Sequence, residues 1–204
     1  SKIMTTPVTM DTWIEQKKIL SENKEYDTLE LGFATFFLNR TNRSGILKAG
    51  VIGGKAQSGK WKLDVRYNKE ELISRIKKIA KYKTRINLQN EDTLSLLKNL
   101  PSTADSRTLI YLDPPYYVKG QGLYRNFYNH QDHLDIQQQL EKTTNYHWLV
   151  TYDNAPEIKD MYANHNTVEF DLQYTAQAKK VGSEVMIYSD SLIVPTIDLG
   201  KQVA

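Results

Sequence analysis

The pair Pro114-Pro115, in the stretch Leu112-Asp113-Pro114-Pro115-Tyr116-Tyr117 that follows the apolar run Thr108-Leu109-Ile110-Tyr111, constrains the fold more than any other feature of the chain. The run reads as a buried strand. Proline has no amide proton to donate and a fixed φ, so two in succession end the strand and turn the backbone out of the sheet. Asp113 precedes the pair, and Tyr116 and Tyr117 follow it. An acid, a rigid turn and aromatic rings therefore meet at the carboxyl end of a strand, the edge of an open α/β sheet where ligands bind.

The rest of the 204 residues supplies strands and helices in alternation. Periodicity predicts helices over Thr9–Leu20 with Asp11 as cap, Thr28–Leu38, Lys69–Tyr82, Asp92–Leu100, Gln131–Lys142 and Ala155–Tyr162. Leu72, Ile73, Ile76 and Ile79 fall on one face of the helix from Lys69. Strands are expected at Trp61–Val65, Arg85–Gln89, Thr108–Tyr111 and His147–Tyr152. A terminal hairpin is expected from Val168–Tyr174 and Glu184–Tyr188, around Lys179–Gly182. Such alternation means an α/β sheet. Residues 1–85 read as a helical and basic region, and 86–204 as a catalytic α/β part. No cysteine is present, which excludes a disulfide framework and a thiolate metal site. His130 and His133 are spaced for a helix start rather than for a metal. No signal peptide or long apolar run occurs, so a cytoplasmic protein is expected, with no membrane partner.

A net charge of +3 conceals a strong asymmetry. Leu38–Arg85 carries 14 Lys and Arg against 3 Asp and Glu, whereas the remainder carries 13 against 21. A basic block in an acidic chain is an electrostatic footprint for a polyanion. Lys69–Lys83 also reads as a solvated helix. Asn39–Lys62, rich in Gly, Ser, Asn, Lys and Arg, reads as a loop that lets backbone approach phosphates. Asn39, Arg40, Arg43, Lys55, Lys60 and Lys119 are the candidate DNA-binding residues. Arg and Asn are the types that read guanine and adenine edges in the major groove. Gly54-Lys55-Ala56-Gln57-Ser58-Gly59-Lys60 nearly spells a phosphate-binding P-loop. Trp61 stands where that motif needs Ser or Thr, and no apolar strand leads in, so nucleoside triphosphate binding is rejected.

The Asp-Pro-Pro-Tyr cluster suits work on a planar amine. The Asp113 carboxylate and the Pro114 carbonyl can each accept a hydrogen bond from an exocyclic NH2, and Tyr116 can stack on the ring. The plainer alternative is a strand that ends in a capped proline turn. Asp113-Pro114-Pro115-Tyr116 resembles the catalytic motif of the DNA adenine-N6 methyltransferases, in particular the DNA adenine methylase branch. Phe37-Leu38-Asn39-Arg40-Thr41 resembles a turn in that branch's DNA-recognition region. Tyr116–Tyr124 followed by His130-Gln131-Asp132-His133, and Val150-Thr151-Tyr152-Asp153-Asn154, are similar to it as well. The likeness runs from about Leu29 to Ser189.

The resemblance implies methyl transfer from S-adenosylmethionine to the N6 amine of adenine in double-stranded DNA, with the base flipped out of the stack. Asp113, Pro114, Pro115 and Tyr116 would be catalytic, and Asp92 and Asp113 would contact the cofactor. Asp92 reads equally as a helix cap. Tyr117, Tyr124, Phe127 and Tyr128 would wall the base pocket or pack the loop, next to Lys119, Gly120 and Gly122. Tyr152-Asp153-Asn154 would support Tyr116 or the loop, or simply form a turn. The implied fold is a partial Rossmann-like methyltransferase sheet with an inserted DNA-recognition region and a C-terminal β-hairpin. The family's glycine-rich cofactor loop has no counterpart before Leu29. The expectation is a C-terminal fragment, a decayed product, or one half that needs a complementing N-terminal polypeptide, with a homodimer as a further route to a covered sheet edge. Two rival classes remain: a catalytically silent DNA-binding module, and an amino-methyltransferase acting on cytosine, RNA or glutamine.

Overall fold

The computed structural model describes residues 1–101, 107–118, 128–174 and 180–195. The chain divides into two compact units, Ser1–Leu88 and Gln89–Ala204.

The first unit is helical: α1 (Lys2–Thr5), α2 (Met10–Ser21), α3 (Thr28–Thr41) and α4 (Lys69–Ala80). Local chemistry sets the helix starts. Asp27 accepts from the Glu30 amide at 2.8 Å while the Glu30 carboxylate accepts from the Asp27 amide, a reciprocal capping box. Asn68 caps α4 through the Glu71 amide. Thr9, not Asp11, caps α2, because its hydroxyl reaches the Thr12 amide; Asp11 instead sits in the first turn, where a negative charge favours the helix dipole. The core is Trp13, Phe33, Phe37, Leu38, Val51, Leu63, Tyr67 and Leu72.

Several expectations fail here for identifiable reasons. Asn39-Arg40-Thr41 is not a turn but the last turn of α3, which runs on because Phe37, Leu38 and Thr41 are all buried. No strand forms over Trp61–Val65. The Val65 and Tyr67 amides donate to the Lys62 and Asp64 carbonyls, and these turn bonds take the groups a ladder would need. Only Leu63 of that stretch is buried. No strand forms over Arg85–Gln89 either. Lys83–Arg85 is a 3-10 turn, and Ile86 and Leu88, which alternation would bury, are 53% and 90% exposed. Alternation specifies a strand only where one face meets a core. Of the α4 apolar row only Leu72 is buried; Ile76 lines an open groove of about 610 Å³ with Leu29, Phe33 and Phe36.

The second unit is a mixed α/β layer. It holds α5 (Thr93–Lys98), β1 (Leu109–Leu112), α6 (His130–Lys142), β2 (His147–Asp153), α7 (Pro156–Met161), β3 (Asn166–Tyr174) and β4 (Lys180–Tyr188). The four strands form one mixed sheet in the order β1-β2-β4-β3. β1 runs parallel to β2, with Leu112 opposite Val150. β4 is antiparallel to both β2 and β3, with Asp153 opposite Glu184. One face carries Trp148, Val150, Tyr152, Val185 and Ile187, packed with Ile136 and Leu140 of α6 and Ile158 of α7. Pro156 opens α7 at its first turn, where its missing amide proton costs nothing. None of the described helices is long and apolar enough to cross a membrane.

Candidate active site and nucleic-acid interface

The parallel pair β1-β2 determines what surrounds the proline turn. Both strands point their carboxyl ends the same way, so the residues after Leu112 lie beside the last residues of β2. Asp113 is exposed, Pro114 buried, and Pro115, Tyr116 and Tyr117 half-buried. The Thr151 hydroxyl reaches an Asp113 oxygen at 3.5 Å and the Tyr111 hydroxyl at 3.1 Å. Among the described residues no cation forms a salt bridge with Asp113. The carboxylate therefore stands at the sheet rim, open to an incoming group.

The backbone after the prolines is held by a buried acid. Asp153 closes β2 and is 4% exposed. One of its oxygens accepts from the Tyr117 amide at 2.8 Å, and the other from the Val118 amide at 3.0 Å. A second buried acid, Glu184 of β4, accepts a hydrogen bond from the Tyr116 hydroxyl at 2.5 Å. Asn154 ties the same corner to β4 and β3, donating to Ser183 at 2.9 Å and to Glu169 at 2.7 Å. Lys159 lies 2.6 Å from Glu169, and these two contacts hold the Glu169 carboxyl below its ordinary pKa.

Behind Tyr117 lies an aromatic nest. Its hydroxyl bonds His130 Nδ1 at 2.9 Å, and its ring is 5.3 Å from that of His133. Tyr128 and Tyr152 each pack 5.4 Å from the same imidazole. His133 is fully buried, with Nδ1 3.2 Å from the Tyr152 hydroxyl and Nε2 without a hydrogen-bond partner. Burial holds its pKa below the ordinary histidine value, against the opposing pull of Asp132 and Asp153. The ring is thus a neutral packing element. Burial likewise pushes the Tyr152 and Tyr162 hydroxyls upward, so both remain protonated.

Asp92 caps α5, accepting from the Ser95 amide at 3.2 Å, and its residue is exposed. Lys119 lies outside the described residues, as do Gly120, Gly122, Tyr124, Phe127 and Lys179.

In the first unit the basic loop after α3 is a built structure. Asn42 is fully buried at its root. Its Oδ1 accepts from Trp13 Nε1 at 2.7 Å, and its Nδ2 donates to the Ile46 and Leu47 carbonyls, each at 3.0 Å. Arg66 donates to the Asn39 and Asn42 carbonyls, and Arg40 donates to the Arg66 carbonyl. Asn39 itself donates to the Gly45 carbonyl. Burial and the neighbouring Arg40 charge lower the Arg66 pKa. Gln57 closes the far end through Ile52, Gly54 and Leu63. Gly53 is required there: its φ is +84°, and a Cβ would lie 2.6 Å from the Trp61 carbonyl oxygen.

Of the candidate DNA contacts, Asn39, Arg43, Lys55 and Lys60 are exposed, and Arg40 is half-buried. The Arg43 guanidinium lies against Gly50, where a Cβ would sit 2.9 Å from it. The Lys60 ammonium lies 5.3 Å over the ring of Trp61, itself 59% exposed. Sequence reasoning did not assign roles to Trp61, Arg66 or Glu184. An unpatterned tryptophan in a basic loop was the available signal for the first. The other two act through partners 24 to 68 residues away, which no local pattern shows.

Comparison with known proteins adds one finding. The family model described as D12 class N6 adenine-specific DNA methyltransferase matches residues 11–176, most of the chain and both units. No curated protein matches.

Proposed function

The chain belongs to the D12 class N6 adenine-specific DNA methyltransferase family and is a methyltransferase, and from that premise we propose its reaction and site. It transfers a methyl group from S-adenosylmethionine to the N6 amine of an adenine flipped out of duplex DNA. The observation that carries this reading is the exposed Asp113 carboxylate at the sheet rim, beside a Tyr116 held by its hydroxyl. Asp113 and the Pro114 carbonyl each accept a hydrogen bond from one N6–H, which orients the nitrogen lone pair toward the methyl group; the one proton lost on methylation leaves by the exposed Asp113 carboxylate to solvent, and the Tyr116 ring stacks on the base. Pro115 keeps the turn stiff. Most of the rate gain then comes from orientation and electrostatic placement.

Asp92 and Asp113 are the residues that would hold the cofactor. Both are exposed carboxylates, suited to the amine, hydroxyl and sulfonium groups of S-adenosylmethionine. The cofactor supplies an activated methyl group, so no covalent enzyme intermediate is needed.

In the first unit, Asn39, Arg40, Arg43, Lys55 and Lys60 contact DNA; Lys119, outside the described residues, is a separate DNA contact by its sequence alone. The ordered loop around Asn42 and Gln57 holds the exposed lysines in place, and Trp61 offers a stacking surface. The partial Rossmann-like sheet ends at β1, whose outer edge pairs with no strand among the described residues, with Leu109 and Tyr111 51% and 56% exposed. An edge of that kind favours completion by a second polypeptide, either a complementing N-terminal half or a second copy. The site of action is the cytoplasm.

A labelled-methyl assay on duplexes that carry only adenine or only cytosine as the methylatable base tests the reaction. Label in adenine alone is expected. Label in cytosine would move the chain to another substrate. No label and no heat with S-adenosylmethionine, together with salt-sensitive DNA binding, would make it a silent DNA-binding module.

A further inference from the structure

We infer that Asp153 and Glu184 act as one positioning device for the Asp-Pro-Pro-Tyr turn, the inference resting on the reading that this turn takes the adenine. The two acids are direct partners across β2 and β4, and each is 4% exposed. Two carboxylates side by side in a sheet interior repel one another, so hydrogen-bond donors must offset the arrangement. The donors include the three groups that fix the turn: the Tyr116 hydroxyl on Glu184, and the Tyr117 and Val118 amides on Asp153. Glu184 sets where the Tyr116 ring lies. Asp153 sets the backbone that follows, using both oxygens at once. Neither acid touches the base. Both act through the residues they hold.

The chemistry of the two contacts differs, and this makes the device testable. A glutamine at position 184 keeps an oxygen that accepts from the Tyr116 hydroxyl. An asparagine at position 153 keeps one acceptor and sets an NH2 group against the second backbone amide. Glu184→Gln therefore retains the device, while Asp153→Asn and Glu184→Ala break it. A role in filling space would treat Asp153→Asn and Glu184→Gln alike.

Two readouts on the full chain decide the matter. The first is hydrogen exchange at the Tyr117 and Val118 amides by NMR, which needs no activity. Both should be protected in the parent chain and in Glu184→Gln, and should exchange at least roughly tenfold faster in Asp153→Asn. The second is steady-state transfer to adenine. Asp153→Asn and Glu184→Ala should lower kcat roughly ten- to hundredfold, the loss of one charge-assisted hydrogen bond, with KM for DNA nearly unchanged. Tyr116→Phe combined with Glu184→Ala should cost clearly less than the sum of the two changes, since both remove the shared Tyr116–Glu184 contact. Should Asp153→Asn fail to fold, amide protection in the parent chain and the Tyr116–Glu184 cycle still decide. Unprotected amides, an additive double variant, or Glu184→Gln as impaired as Glu184→Ala would overturn the inference. If the parent chain transfers no methyl group, the reaction reading fails, and the exchange data alone judge the clamp.

Discussion

Asn42→Ala tests whether the basic loop is a built structure. The Asn42 side chain makes three hydrogen bonds: it accepts one from the buried Trp13 indole and donates two to the Ile46 and Leu47 carbonyls. Alanine leaves all three partners without this contact. The indole N–H sits in a buried contact, so its loss costs about 2 kcal/mol, and each part-buried carbonyl costs about 1 kcal/mol. The expected destabilisation is roughly 3–5 kcal/mol, a large part of the stability of a unit of this size. It should appear as a lower urea midpoint with an unchanged slope, or as separate early melting of the first unit. DNA affinity should fall with it, because Lys55 and Lys60 lose their scaffold. The near-isostere Asn42→Asp keeps the acceptor for Trp13 and loses both donors, so it should lie between alanine and the parent. A loss below about 1 kcal/mol for Asn42→Ala would refute the reasoning, since the side chain would then be exchanging water for equivalent partners.

Other perturbations have defined outcomes. Because burial lowers the pKa of His133, the unfolded chain binds more protons than the folded one between that lowered value and the unfolded value of about 6.5. Stability contributed by the neutral ring is complete above about pH 6.5 and lost as pH falls through that window, by at most about 1.4 kcal/mol per pH unit. Denaturant melts at pH 7.5 and 5.5 should show the fall, and His133→Gln should flatten it. Lys55→Gln and Lys60→Gln should each reduce the slope of log binding constant against log salt by about 1 if each ammonium meets a phosphate. Ile187→Ala, at a side chain fully buried in the sheet core, should cost about 2–5 kcal/mol in thermal or urea unfolding without changing which base is methylated.

The parts of the fold governed by local rules were legible in the sequence. Asp92, Pro156 and the proline pair after Leu112 mark element ends through their own backbone chemistry, and the structure places helix starts or a strand end beside them. The apolar run of β2 and the alternation of β4 were legible because one face of each meets a core. Ile86 and Leu88 show the limit of that signal, since the same alternation without a covering layer gave an exposed segment. Trp61–Val65 failed for a different reason: its amides close turns, and turn bonds within a glycine-rich loop leave little trace in hydropathy. At the candidate site, the Asp113–Tyr116 turn could be read directly. A supporting role for Asp153 was one of two readings open, and its contacts with the Tyr117 and Val118 amides now describe it. Glu184 was illegible. It lies in an ordinary strand 68 residues from Tyr116, and only the pairing of β2 with β4 brings it to the turn.

The account turns on Asp113, and the most direct measurement is labelled methyl transfer to an adenine-containing duplex by the parent chain and by Asp113→Ala, with DNA affinity measured beside it. Because Asp113 is exposed and forms no described salt bridge, alanine should leave folding and DNA affinity close to the parent while transfer is lost. Transfer that persists in Asp113→Ala at the parent rate would contradict the account.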